Sequence, residues 1–374
     1  MPKRLLIVSI TMTLLPTNSI PFNPGADRSI AVMMSGGVDS SVTAYLLRRE
    51  GWNVVGVTMK IPYADGCDVK RSCCGTQAAH VSGLLGIPHY FLDVREAFEK
   101  RVIEPFREWY AQGRTPSPCV DCNTEIKFDY AWNRIAAELG VDCLATGHYA
   151  RVIIEGGQAY LARAVDLSRD QSYFLYGIGR DRLGNLRLPL GEFTKTRARE
   201  IAREARLPVA SRQDSMELCF AGEDDYRNAL GESARRPGHI IDERGEVIGE
   251  HTGIANYTIG QRKGIGIAAA EPLFVSRIDP LTNTITIAPR SALFQATVHA
   301  CCVNVLIPDL TRPNTRLFGK IRSQGDPEPC TITDVSGATL TVTFTHPTFA
   351  PTPGQRLVLY DGVGRVVAGG IIGD

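Results

Sequence analysis

The chain has 374 residues, 44% of them hydrophobic and 22% charged, a globular composition that excludes a disordered, collagenous or coiled-coil protein; at about 150 residues per domain it predicts two or three domains. Forty-one Lys and Arg against 40 Asp and Glu leave a formal net charge of +1, so no overall field draws it to nucleic acid and any such surface must be local. Ten cysteines are too dilute for a disulfide scaffold and cluster instead, which suits chemistry in a reducing compartment and predicts a cytoplasmic protein.

Lys3 and Arg4 followed by the apolar run Leu5 to Leu15 imitate a secretory signal, but no Ala-x-Ala site follows, and Pro16, Pro21 and Pro24 do. The run is also too short to span a bilayer. Residues 1–28 are therefore expected as a disordered extension or the product of a start placed too far upstream, and no membrane partner is expected.

From Ile30 the chain alternates buried-strand runs with amphipathic segments. Ile30 to Met34 reads as a strand, and Val42, Tyr45 and Leu46 mark a helix closed by Gly51. Val54 to Met59 is a second strand, Ala78 to Leu85 a helix and His89 to Val94 a third strand. Helices from about Ala97 to Gln112 and Phe128 to Leu139, with a strand from Cys143 to Thr146, complete the pattern. It predicts an α/β doubly wound parallel sheet in a domain over 29–222. Between Arg180 and Arg212 nine Lys and Arg face four Asp and Glu; a solvated helix face and a phosphate-contacting surface both fit. Recurrent glycines among short β-prone runs predict a small β-rich central domain over 223–290. The alternation Thr339-Leu340-Thr341-Val342-Thr343-Phe344 predicts a C-terminal β-barrel over 291–374.

The turn Ser35-Gly36-Gly37-Val38-Asp39-Ser40 carries the most chemistry. Its glycines admit a ligand close to the backbone, and the helix behind it aims free N–H groups and a positive dipole end at an anion. No Gly-Lys-Ser/Thr follows, so it is not a Walker A loop; backbone amides, the Ser35 and Ser40 hydroxyls and a metal held near Asp39 would have to bind a pyrophosphate. Gly113 to Pro118 reads as a stiff loop leading into Cys119-Val-Asp-Cys122, which suits a zinc half-site, a redox pair or a nucleophile. Cys219 taken alone reads as a core cysteine, as do Cys143, Cys301, Cys302 and Cys330. Cys67, Cys73 and Cys74 fall in a polar insertion and read as spare thiols. His148 alone reads as a loop histidine satisfied by a backbone bond.

Ser35 to Ser40 resembles the PP-loop of ATP pyrophosphatases, which split ATP between its α and β phosphates and place AMP on a carbonyl oxygen. Gly113 to Pro118 with Cys122-Asn123 and Ile126-Lys127-Phe128, Ala145 to Tyr149, Asp170 to Leu175, Cys219-Phe220 and Gly260 to Gly264 resemble, in order, the signatures of the tRNA-specific 2-thiouridylase family from about residue 29 to 373. The resemblance implies a PP-loop catalytic domain followed by a small central domain and a barrel. It implies ATP-dependent 2-thiolation of the wobble uridine in tRNAs for Lys, Glu and Gln, with release of AMP and PPi.

Met33, Met34, Ser35, Gly36, Gly37, Val38, Asp39, Ser40, Met59 and Gly147 would then hold ATP, with Mg2+. Cys122 would be the nucleophile and Cys219 the persulfide carrier, joined after turnover by a transient Cys122–Cys219 disulfide. Whether the persulfide attacks the adenylated base directly or releases hydrosulfide first stays open. His148, Arg169, Asp170, Gln171, Arg322, Ser323 and Gln355 match tRNA-contact positions, and an upstream persulfide donor must load Cys219. A monomer that binds no DNA is expected.

Two departures from the family pattern matter. Cys119 stands where many members have an Asp proposed as general base, leaving Asp121 or an already ionised persulfide to serve. Ser323 stands where an Arg-Tyr pair is suggested, forfeiting base stacking worth about 1–3 kcal/mol. Two alternatives remain: another PP-loop adenylating enzyme acting on a small molecule, and an iron–sulfur-dependent thiolase in which Cys119, Cys122 and Cys219 ligate a cluster.

Overall fold

A computed structural model describes residues 13–62, 73–212, 218–220, 230 and 236–373. The α/β domain contains strands β1 (Leu14–Pro16), β2 (Ser29–Met33), β3 (Asn53–Lys60), β4 (His89–Asp93) and β5 (Leu144–Ala145). A two-stranded ribbon follows, β6 (Ala150–Glu155) and β7 (Gln158–Arg163), and then β8 (Leu186–Arg187). The main sheet runs β1-β4-β3-β2-β5-β8, parallel throughout except for β1. Successive β2 residues serve opposite layers: Ala31 and Met33 join one core, Ile30 and Val32 the other, as a strand covered on both faces requires. From central β2 the order advances through β3 and β4 on one side and through β5 and β8 on the other. The switch point therefore lies between β2 and β5, and the crevice beyond their carboxyl ends is where such sheets bind ligands.

Residues 14–16, within the segment expected as a disordered extension, instead form the antiparallel edge strand β1. Leu14 is 1% exposed, and Glu138 accepts from the Thr13 and Leu14 amides at 2.9 and 3.0 Å. Leu14 to Pro16, where that apolar run ends, thus cap a sheet edge that would otherwise be unpaired. The first twelve residues lie outside the described chain.

A helix over Val38–Arg49 follows β2 and another over Cys73–Leu85 follows β3; Cys67 lies outside the described residues. The helix expected near Ala97 runs over 95–111 with a π-helical stretch at Glu99–Ile103. The helix expected from Phe128 begins ten residues earlier, at Pro118, and is π-helical over Cys122–Ala131. The Cys-x-x-Cys thus stands on a helix rather than in a loop, because Pro118 occupies its first turn, where the missing N–H costs nothing.

The central sheet runs β10-β9-β12-β11, from β9 (Gly238–Ile241), β10 (Val247–His251), β11 (Leu273–Asp279) and β12 (Thr284–Pro289), around Ile240, Val275, Ile285 and Ile287. The C-terminal unit is a closed six-stranded antiparallel barrel, β13-β16-β15-β14-β17-β18. Its strands are β13 (Phe294–Val305), β14 (Arg316–Lys320), β15 (Glu328–Ser336), β16 (Thr339–Phe349), β17 (Arg356–Tyr360) and β18 (Val366–Ile372). Leu340, Val342 and Phe344 are buried inside it, as the alternation predicts. Of the four cysteines expected in cores only Cys330 is buried; Cys143 and Cys301 are half-buried and Cys302 is exposed, at φ +52° on an irregular stretch of β13.

Candidate active site

The crevice at the switch point is lined by the turn after β2. Gly36 takes φ +73°, a conformation that favours glycine, and lets the chain fold back so that Ser40 Oγ accepts from the Ser35 amide at 3.2 Å. Gly147, just beyond β5, presses on this turn: a Cβ there would lie 2.8 Å from the Asp39 carbonyl carbon and the Ser40 nitrogen. The structure thus brings together Met33 to Ser40 and Gly147, and Met59 closes β3 beside them, half-buried against the core. Asp39, in the first helical turn, is held by two groups. Lys195 Nζ lies 2.8 Å from each carboxylate oxygen, and the Tyr149 hydroxyl donates to Oδ1 at 3.0 Å. Arg212 donates to the Gly36 carbonyl at 3.0 Å.

The cysteines converge from two directions. Cys122 is buried on the 118–139 helix and Cys219 is exposed. Phe220 pins Cys219 in place, packing edge-on against Phe98 and Phe106 at 5.8 and 5.4 Å. Residues 213–217, just ahead of Cys219, lie outside the described residues. Burial pushes the Cys122 thiol up to about 12; Lys127 opposes the shift, while Cys219, near enough to act as a like charge, and Asp121 add to it. The Cys119 thiol is open to solvent, yet the surrounding protein desolvates it and raises it to about 11, again against Lys127. At neutral pH Cys119 is therefore no general base. The nearby Asp121 carboxylate is paired with Arg356 of the barrel, while burial raises its pKa from the ordinary value against that pairing. Among the described residues no three His, Cys, Asp or Glu side chains stand where they could hold a metal ion.

His148 joins the crevice to the cysteine helix, with its ring 6.0 Å from Phe128. Its partner is the Thr146 hydroxyl at 2.7 Å rather than a backbone group. Burial and then Lys127 hold its pKa well below 6.5, so it is neutral and meets a ligand only by hydrogen bonding.

The other positions matched to tRNA contacts divide. Arg169 is exposed. Asp170 faces inward, accepting from the Ala164 amide at 3.0 Å and the Ser172 hydroxyl at 2.9 Å and pairing with Arg163 at 3.3 Å. Gln171 Oε1 accepts from the Tyr149 amide at 2.9 Å. Gln355 donates to the Thr115 carbonyl at 3.1 Å, bracing the loop ahead of the cysteines. Arg322 reaches the Phe349 and Ala350 carbonyls. Ser323 is half-buried, and the ring of Phe349 lies 6.0 Å from the Arg322 guanidinium, beside Arg290 at 4.7 Å.

Sequence reasoning assigned no role to several residues of this site. Lys195 and Arg212 lay within the basic stretch, where the solvated-face reading fits Arg197, spent on Glu200 and Glu204 at 3.0 and 2.8 Å, but not Lys195, which is 9% exposed and turned inward onto Asp39. The clamp from the barrel, Gly354 and Arg356, carries no local signal.

Residues 28–223 match the family model described as tRNA methyl transferase HUP domain, 229–289 the tRNA methyl transferase PRC-barrel domain, and 297–372 the aminomethyltransferase beta-barrel domain. The chain is 40% identical over 356 residues to the tRNA-specific 2-thiouridylase MnmA of Clostridioides difficile, covering 92% of this chain and 98% of that protein. It is 42% identical over 357 residues to the protein of that name in Carboxydothermus hydrogenoformans, covering 92% and 97%. With that of a Bradyrhizobium species it shares 43% over 364 residues, covering 92% and 91%.

Proposed function

The chain belongs to the tRNA-specific 2-thiouridylase family, and from that premise we propose that its crevice adenylates the C2 oxygen of the wobble uridine while Cys122 and Cys219 deliver the sulfur. The observation that carries the reading is the placement of two thiols on separate segments, Cys219 near enough to Cys122 to act on it as a like charge, with His148 against Phe128 of the Cys122 helix and its neighbour Gly147 against the turn after β2. The domain models are described by methyl transfer; a phosphate turn joined to a thiol pair suits adenylation and sulfur transfer instead, so the reading follows the curated relatives.

The uracil O2 attacks the α-phosphorus of ATP, the bond to the bridging oxygen breaks and PPi leaves. Met33 to Ser40, Met59 and Gly147 hold the nucleotide, and Asp39 offers a carboxylate to the accompanying Mg2+. A persulfide on Cys219, loaded by an upstream donor, supplies sulfane sulfur. In the direct route its terminal sulfur adds to C2 and AMP departs with the former O2. The Cys122 thiolate then attacks Cys219 Sγ, releasing the thiolated base and leaving a Cys122–Cys219 disulfide that an external reductant reopens. Release of hydrosulfide by Cys122 before attack on C2 ends in the same disulfide. Cys219, exposed, suits exchange with a donor; Cys122, buried and protonated at rest, is spared oxidation until Lys127 and the substrate favour its thiolate.

Among the matched tRNA positions Arg169, His148 and Arg322 are the contacts this reading keeps, with Phe349 supplying a ring near the place where Ser323 has none. Asp170, Gln171 and Gln355 shape that surface from within. The protein works as a cytoplasmic monomer on this reading. The test is single-turnover thiolation of tRNA with ATP and a persulfide donor. Cys219→Ser should adenylate tRNA and release PPi but transfer no sulfur, and full thiolation by that variant would refute the persulfide role.

A further inference from the structure

We propose that Lys195 is the phosphate-binding cation that the turn itself lacks, trading the Asp39 carboxylate for the β- and γ-phosphates when the nucleotide enters. The inference rests on the reading of the crevice as an ATP site and extends it to a residue outside the motif. A turn of the form Ser35-Gly36-Gly37-Val38-Asp39-Ser40 offers amides, hydroxyls and half a positive charge from the helix end, and no cationic side chain. It also presents a carboxylate, Asp39, to the place where an anion should bind. Without a neutralising cation that carboxylate would repel a triphosphate.

Lys195 provides the cation. Its ammonium lies 2.8 Å from both Asp39 oxygens, while the Tyr149 ring faces it at 5.7 Å and the Tyr149 hydroxyl donates to Asp39 Oδ1. The lysine is set from behind. It opens the Lys195–Glu204 helix, whose cap Thr194 accepts from the Arg197 amide, and its own amide donates to Asp166 at 3.2 Å. The nearly buried Lys195 ammonium would be costly to leave unpaired, and the half-buried Asp39 carboxylate would repel the incoming anion if left without a cation. An exchange of partners avoids both costs: Asp39 would hold the divalent cation that accompanies the triphosphate, and Lys195 would turn to the phosphates. When PPi departs the original pair re-forms. Arg212, donating to the Gly36 carbonyl, steadies the turn during the exchange.

The experiment is calorimetric titration of the full chain with three probes: MgATP, magnesium pyrophosphate and AMP. Lys195→Met should weaken MgATP and pyrophosphate binding by about 10- to 100-fold, the range of one charge-assisted hydrogen bond, and leave AMP binding unchanged. Lys195→Arg should recover most of the loss. Should the Met variant not fold, Lys195→Gln, which keeps length and a donor, takes its place with the same expectation. Unchanged pyrophosphate binding overturns the proposal, as does an equal loss for AMP, which would mark Lys195 as a support for the turn alone. If the wild-type chain binds neither MgATP nor AMP, it is the ATP reading of the crevice that fails.

Discussion

Replacing Gly354 by alanine tests whether the barrel sets the cysteine loop. Gly354 stands at φ +95°, and an added Cβ would lie 2.8, 2.9 and 3.0 Å from the oxygen, carbon and nitrogen of Thr115. These are backbone atoms and cannot swing aside. The dihedral alone costs alanine about 1–3 kcal/mol. Relieving the contact lifts 353–355 from the loop and breaks two bonds, Thr115 N–H to the Pro353 carbonyl at 2.9 Å and Gln355 Nε2 to the Thr115 carbonyl at 3.1 Å. Each bond contributes about 0.5–1.5 kcal/mol, so local stability falls by about 2–6 kcal/mol. Hydrogen exchange at the Thr115 amide, followed by NMR or peptide mass spectrometry, should accelerate by about 30-fold or more, at 1.4 kcal/mol per tenfold. Thiolation should slow with it, while MgATP binding holds. An exchange rate equal to that of the wild-type protein would show that the clamp does not order the loop.

Two further outcomes follow from the charges. Lys127 is the cation that opposes the upward shift of both Cys119 and Cys122; Lys127→Met should displace the rise of thiolation rate with pH to higher pH, and an unmoved profile would place its role elsewhere. Burial holds the His89 imidazole down from 6.5 to about 4, between the hydroxyls of Thr17 and Thr58 at 2.7 and 2.9 Å. The unfolded chain therefore takes up this proton first. The stability that neutral His89 confers is complete above pH 6.5, declines as the pH falls toward 4, and amounts to about 3 kcal/mol at 1.36 kcal/mol per pH unit. His89→Gln should flatten the urea midpoint over that range; an equal slope in variant and wild-type protein would assign the acid sensitivity to other groups.

The phosphate turn was legible because everything that makes it, strand, glycines and helix start, lies within a dozen consecutive residues. The succession of strands and helices and the barrel alternation were legible for the same reason, since periodicity is a local property. Leu14 shows where this stops: an apolar run before prolines has the same text whether it is a signal, a tail or an edge strand, and only Glu138 and β4, far along the chain, decide. Cys119 and Cys122 were placed near a loop because Pro116 and Pro118 dominate the local text, although the second proline opens the helix. Asp170 and Gln355 matched contact positions by sequence, while their partners, Arg163 and Thr115, are brought to them by the fold. Lys195 sits in a basic run whose neighbours face solvent, and nothing in the letters distinguishes the one that turns inward.

The clamp of 353–356 on Thr115 and Asp121 also has a meaning in time. Domains emerging from a ribosome fold from the amino end, one after another, so the phosphate turn and the cysteine helix can assemble long before the strand that braces them is synthesised. A nascent chain at that stage would hold the crevice and the cysteine helix without the segment that braces the loop ahead of them. A chain cut short before 353–356 would lack the contacts that brace Thr115 and Asp121, however complete its earlier domains.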